Sequence, residues 1–254
     1  MSSSTTTITL TPATTRDIPV LAQISQEAFS TDTHTRLKEL VNGIKHASDM
    51  TGGLESWLSR PKEKCKVMKA VTPKGEIVGW TCWSFSGFEY DGTDHAPTKF
   101  QVEKPVQKEK ESEVKNVEET KAVQNLEDEK KKISELGAIT SGSLREWGAK
   151  LTPEGSKCVI LVAIPILPAY QGKGIGSALI RWGTSIADVE GVHCWVSSSD
   201  GGWTAFKKSG FGEVGRLEVD LDDFAGAVRN EFREDGKWGN YVFRYMRRDV
   251  VPQS

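Results

Sequence analysis

Tyr170-Gln171-Gly172-Lys173-Gly174-Ile175-Gly176-Ser177-Ala178-Leu179 decides how the rest of this chain is read. Glycine stands at alternate positions, directly ahead of an amphipathic helical pattern. Such a loop can turn successive backbone N–H groups inward, and the helix behind it adds the positive end of its dipole. Together they make a seat for phosphate oxygens. Upstream, Cys158 to Leu167 (Cys-Val-Ile-Leu-Val-Ala-Ile-Pro-Ile-Leu) is the most apolar run of the chain. Its length suits a central strand buried on both faces. Pro165 interrupts it, and because proline cannot donate to a ladder, the pairing is expected to break or bulge there. Downstream, Ile175, Ala178, Leu179, Trp182, Gly183 and Ile186 fall on one helical stripe.

Further out, Ile8 to Leu10 alternates with threonines and reads as a first strand. Ile18, Val20, Leu21, Ile24 and Phe29 follow at helical spacing. A second helix is expected over about Thr33 to Lys45, broken by Met50 to Gly53. Cys65 to Val71 and Glu76 to Phe85 form a hairpin about the turn Thr72-Pro73-Lys74-Gly75. From about Gln101 to Lys132 the chain is Glu, Lys, Val and Gln without an aromatic residue, which reads as a solvated, charged insertion, either flexible or a loosely held helix, and passive rather than a binding tail. Ile133 to Trp147 regains apolar content, as a helix that packs back would. Val192 to Ser197, Phe211 to Val219 and Asn240 to Arg248 are the remaining strands, with a short helix at Trp203 to Lys208. The order implies one mixed α/β domain over 8–249, with an insertion at about 101–132 and a disordered N-terminus at 1–7.

Bulk properties narrow the partners. With 33 basic and 35 acidic residues the formal net charge is −2, so nucleic acid is not the expected ligand. No run of about 18 apolar residues exists to span a bilayer, and Met1 to Thr7 lacks the basic and apolar regions of a secretory leader. The expectation is a protein of the cytoplasm or nucleus that engages no membrane. Cys65, Cys82, Cys158 and Cys194 share no metal-ligand spacing and read as reduced core cysteines, so no metal is expected.

Three phosphate carriers compete for the glycine loop. A nucleoside-triphosphate loop needs GxxxxGK followed by Ser or Thr, which is absent. A dinucleotide fold needs a third glycine where Ser177 stands, and an acidic residue about 20 positions on. Asp188 and Glu190 lie near that distance, so this stays the weaker alternative. The third carrier is coenzyme A. The run Pro168-Ala169-Tyr170-Gln171-Gly172-Lys173-Gly174-Ile175-Gly176 closely resembles motif A of the GCN5-related N-acetyltransferases, with Gln171, Gly174 and Gly176 in its Q/R-x-x-G-x-G/A positions. Ala205-Phe206-Lys207-Lys208-Ser209-Gly210-Phe211 resembles the family's later Y-x-K-x-G-F element.

The resemblance implies the acyl-CoA N-acyltransferase fold: a mixed, mostly antiparallel sheet with flanking helices and a splay between the fourth and fifth strands. It implies acetyl-CoA as acyl donor, with Gln171, Gly172, Lys173, Gly174, Ile175, Gly176 and Ser177 on the pyrophosphate. Backbone groups of Ile164, Ile166 and Leu167 would hold the pantetheine arm, the Leu167 N–H polarising the thioester carbonyl. The acceptor would be an amine, of a small molecule rather than a protein, attacking directly. Whether the protein is a monomer or a homodimer stays open. The catalytic base is unassigned among Glu89, Asp91, Asp94, His34, His46 and His193, the last expected beside the cofactor cleft. Where the family often has a tyrosine to protonate the leaving thiolate, this chain has Phe206. Water, or one of Ser198, Ser199, Tyr241 and Tyr245, could replace it, or the thiolate could leave unaided; alternatively the chain is a non-catalytic CoA-binding module. Trp57, Trp80, Trp83, Trp203 and Trp238 are core residues or walls of an acceptor cleft.

Overall fold

Cys158 to Ala163, the first part of the apolar run, forms a strand inside the sheet, and the rest of the architecture is arranged around it. In the computed structural model, residues 5–103 and 123–251 are described, with side chains omitted for 123–126. The strands are β1 (Thr5–Pro12), β2 (Cys65–Val71), β3 (Ile77–Ser86), β4 (Lys99–Glu103), β5 (Cys158–Ala163), β6 (His193–Ser198), β7 (Gly212–Asp220) and β8 (Asn240–Arg248). They make one 8-stranded sheet in the order β4-β1-β2-β3-β5-β6-β8-β7. Every neighbouring pair is antiparallel except β5 with β6.

The helices are α1 (Ile18–Ala28), α2 (Thr33–Asn42), α3 (His46–Leu58), α4 (Val123–Leu151), α5 (Ile175–Glu190), α6 (Trp203–Lys208) and α7 (Asp222–Ala225). The apolar stripe of α5 buries Leu179, Trp182 and Ile186 against Val159, Leu161 and Trp83 on one face of the sheet. The opposite face carries α1 and α3, whose Leu21, Ile24 and Leu54 pack on Trp80 and Cys82. No helix among the described residues is long and apolar enough to cross a membrane.

Several expectations are corrected. The segment expected to be disordered at 1–7 is strand from Thr5, because β4 pairs with it from Thr5–Glu103 to Thr9–Lys99; residues 1–4 lie outside the described residues. Met50 to Gly53 does not break a helix but lies inside α3. Each helical glycine costs about 1 kcal/mol, and burial of Leu54, with Met50 and Trp57 packed against the same cluster, outweighs it. The break comes earlier, at Gly43, whose φ of 68° ends α2. Of the expected insertion at 101–132, residues 104–122 lie outside the described residues, 101–103 complete β4, and 123–132 open α4. There Glu129 is buried and accepts the Ala227 N–H at 3.0 Å. Because β4 adds a strand, the splay falls between the fifth and sixth strands of the chain.

Pro165 does not mark the irregularity. Cys82 pairs with Ala163 and Trp83 with Leu161, so Val162 is left over as the extra residue of a bulge. Beyond it the chain still follows β3: the Trp80 N–H donates to the Pro165 carbonyl and the Leu167 N–H to the Val78 carbonyl, both at 3.0 Å. Proline keeps its carbonyl, and the carbonyl is what β3 uses. On the other side, pairing of β5 with β6 ends at Leu161–Val196. The two parallel strands therefore part after Leu161.

Candidate functional site

The parting opens a cleft of about 710 Å³. Its walls are Ile164 and Ile166 from the chain after β5, the glycine turn, Ser199 to Gly202 after β6, Phe206 of α6, and Phe29, Asp32 and Tyr241. Backbone groups alternate in direction along an extended chain. Since Pro165 and Leu167 bond to β3, the N–H groups of Ile164 and Ile166 point the other way, into the cleft, and donate to no described residue. The Leu167 N–H, expected to polarise a carbonyl, is spent on Val78 and does not face the cleft.

Across the cleft sits the glycine turn. Gly172 and Gly174 have φ of 72° and 86°, a left-handed conformation that favours glycine. A Cβ on either would meet nothing, so conformation rather than space requires glycine there. Gly174 is the N-cap of α5, whose first intrahelical bond runs from the Ala178 N–H to the Gly174 carbonyl. The N–H groups from Gly172 through Ser177 have no partner among the described residues. A run of unpaired amides at the positive end of a 16-residue helix is a site for an anion.

Of the expected donor-holding residues, Ile164, Ile166, Gln171, Gly172, Gly174, Gly176 and Ser177 line the cleft. Lys173 is not among the lining residues, and Ile175 is fully buried. The side chain of Gln171 braces the turn, its Nε2 donating to the Ile166 carbonyl at 3.0 Å.

The candidate bases are dispersed. Glu89 pairs with Lys64 at 3.6 Å, Asp91 accepts the Thr93 N–H, and Asp94 accepts the Trp182 indole N–H at 2.7 Å. All three follow the far end of β3, roughly 20 Å of strand from the Gly79–Ile166 bridge. His193 is not beside the cleft: it begins β6 at the opposite end from Ser198 and donates to the Leu151 carbonyl at 2.8 Å. His46 is bonded to Ser25 at 3.0 Å, and burial holds its pKa below the usual value. His34 is packed against the rings of Tyr241 and Phe243 with its Nε2 unpartnered. Burial, then the nearby Lys38, pull its pKa down to about 4.

Among the candidate acids, Tyr245 is stacked on Trp147 and bonded to Ser143, away from the cleft. Ser198 is tied to the Ser199 carbonyl. Tyr241 and Ser199 line the cleft, as does Phe206. None of the five tryptophans considered for an acceptor wall does; Trp80, Trp83 and Trp238 are core residues.

One lining residue escaped the sequence reading. Asp32 is the N-cap of α2, its Oδ1 accepting the Thr35 N–H at 2.9 Å and its Oδ2 accepting the Tyr241 hydroxyl at 2.7 Å. Burial, with Asp32 next, drives the Tyr241 phenol well above its usual range. A short polar residue ahead of a helix is a capping signal, and nothing local distinguishes a cap that also meets a tyrosine 209 residues away.

No protein-family model matches the chain, and no curated protein matches it. Solved structures do. Arylalkylamine N-acetyltransferase 2 from Aedes aegypti matches 96% of this chain and 99% of its own length, with 14% identity and a TM-score of 0.55. A structure described as an arylalkylamine N-acetyltransferase 7 from the yellow fever mosquito matches 96% of this chain and 88% of its own length, with 13% identity and a TM-score of 0.52. At such identities the likeness is one of fold. The chain has the acyl-CoA N-acyltransferase fold that the motif implied.

Proposed function

We propose that this chain is a GCN5-related N-acetyltransferase that moves an acetyl group from acetyl-CoA to an amine by direct attack, both substrates sharing one cleft. One observation carries the reading: unpaired amides border that cleft from two sides, those of Ile164 and Ile166 on the parted strand and those of Gly172 through Ser177 at the start of α5. The two sets match the two polar parts of this donor. The turn suits a pyrophosphate, and the extended segment suits the amides of a pantetheine arm.

In this arrangement the Ile164 or Ile166 N–H, rather than that of Leu167, polarises the thioester carbonyl. The acceptor enters from the side of α2 and β8. A lysine-like amine is neutral only about one time in a thousand near pH 7, a penalty of about 4 kcal/mol. A cleft that desolvates the amine or takes up its proton offsets that cost. Phe29 and Tyr241 give the acceptor side an aromatic wall. That agrees with the arylalkylamine acceptors for which the two structures of like fold are named. A small aromatic amine is therefore the first acceptor class to test.

The experiment is a panel of amines with free-thiol release as readout, run beside stabilisation by CoA alone. Thiol release that depends on an amine supports the transferase. Phe206 on the cleft favours one other reading, a CoA-binding module without turnover. That module would be stabilised by CoA and release no thiol with any amine.

A further inference from the structure

The cleft contains a proton-handling pair that the sequence motif does not include. Among the described residues two carboxylates line it, Asp32 and Asp200. Asp200 is paired with Arg244 at 2.6 Å, an arginine that Glu213 shares at 3.4 Å and that lies over Trp203. Asp32 has no cationic partner among the described residues; its neighbours are the Thr35 N–H and the Tyr241 hydroxyl. Tyr241 is the tyrosine among the lining residues, and Phe206 on the same cleft has no proton to give.

Resting on the transferase reading above, we propose that Asp32 and Tyr241 form a relay that takes the proton from the attacking amine and returns it to the departing sulfur. As the nitrogen–carbon bond forms, the amine N–H becomes acidic and its proton passes to the Asp32 carboxylate. As the carbon–sulfur bond breaks, the electron pair stays on sulfur. Tyr241 gives its hydroxyl proton to that sulfur and takes the proton held by Asp32. The amine has lost one proton and the thiol has gained one; Asp32 ends as a carboxylate and Tyr241 as a phenol. The relay also spares Tyr241 from becoming a phenolate beside a carboxylate, which its surroundings strongly disfavour. In this way β8 and the start of α2 supply what position 206 lacks.

Two conservative variants test the relay without unfolding the cap. Asp32→Asn keeps an oxygen for the Thr35 N–H, and asparagine is a good N-cap. Tyr241→Phe removes one hydroxyl. The acceptors are phenylethylamine and its β,β-difluoro analogue, nearly equal in shape and much less basic, with acetyl-CoA as donor. Asp32→Asn is expected to lower kcat about a hundredfold with phenylethylamine, and markedly less with the difluoro amine. Tyr241→Phe is expected to lower kcat to a similar extent with both, since the leaving thiol is the same. CoA stabilisation and the KM for acetyl-CoA stay near wild type.

Variants that keep the wild-type kcat, or an Asp32→Asn loss equal for the two amines, overturn the relay and leave the transferase reading standing. A wild-type protein that CoA does not stabilise overturns the reading itself, before any variant is made. One that CoA stabilises but that acetylates neither amine counts against the relay, and the wider amine panel then separates another acceptor from the binding module.

Discussion

The His34 ring is buried against Tyr241 and Phe243, and holding a charge there is costly, so its pKa falls from 6.5 to about 4. The unfolded chain therefore binds this proton more readily than the folded one. Stability is complete above pH 6.5, declines as the pH falls towards 4, and loses nothing more to this group below that. The swing amounts to at most about 3 kcal/mol. His34→Phe should flatten the pH dependence of Tm in that window, as thermal denaturation at a series of pH values would show; an unchanged slope refutes the assignment. At Gly174 the φ of 86° and the unpaired amides on either side make a different prediction. Gly174→Glu places a strained residue and a negative charge where an anion is to sit, so stabilisation by CoA should vanish while the fold persists. Thermal shift with and without CoA reads this directly. Such glycines are legible in sequence because their demand is local. Asp32 is not, because its meaning depends on Tyr241, which arrives from the last strand.

Elements were legible where one period governs them. The stripe of α5, the hairpin turn at Thr72 to Gly75 and the apolar β5 needed only their own residues. The bulge at Val162 was not legible, since a bulge belongs to two strands at once and the run around it is uniformly apolar. Proline at 165 drew attention to the wrong residue. It removes a donor, and β3 there asks for an acceptor. The contact between α5 and β3 is also a property of two elements. Gly183 lies so close to Trp83 that a Cβ would stand 2.2 Å from the indole ring, and Trp83 is fully buried with nowhere to move. Gly183→Ala should therefore cost about 1–3 kcal/mol through overpacking, against the gain in helix propensity that alanine normally brings. Urea denaturation would measure it. A variant as stable as wild type would mean that the indole relocates without penalty.

At the scale of the whole molecule, a charged stretch read as passive joins the frame of the cleft. The composition near Lys130 to Lys132 describes the exposed side of α4 correctly. It hides the buried side, where Glu129, Ile133 and Leu136 recur at helical spacing. Ile133 and Leu136 pack on Leu37 and Val41 of α2, in one cluster with Tyr241 and Trp238, so α4 braces the helix whose first turn Asp32 caps. The glycine turn rests on a separate cluster, with Ile175 and Leu179 among the residues packed against β3 and β5. The two halves of the cleft are thus supported independently, and damage to one should leave the other working. Leu136 is fully buried, and Leu136→Ala should cost about 2–5 kcal/mol. The loosened α2 carries Asp32 away from Tyr241, so kcat with an amine acceptor should fall several-fold. Stabilisation by CoA, measured on the same folded variant below its own Tm, should stay close to wild type. If CoA binding falls together with turnover, the clusters are coupled and α4 supports the cleft as one body.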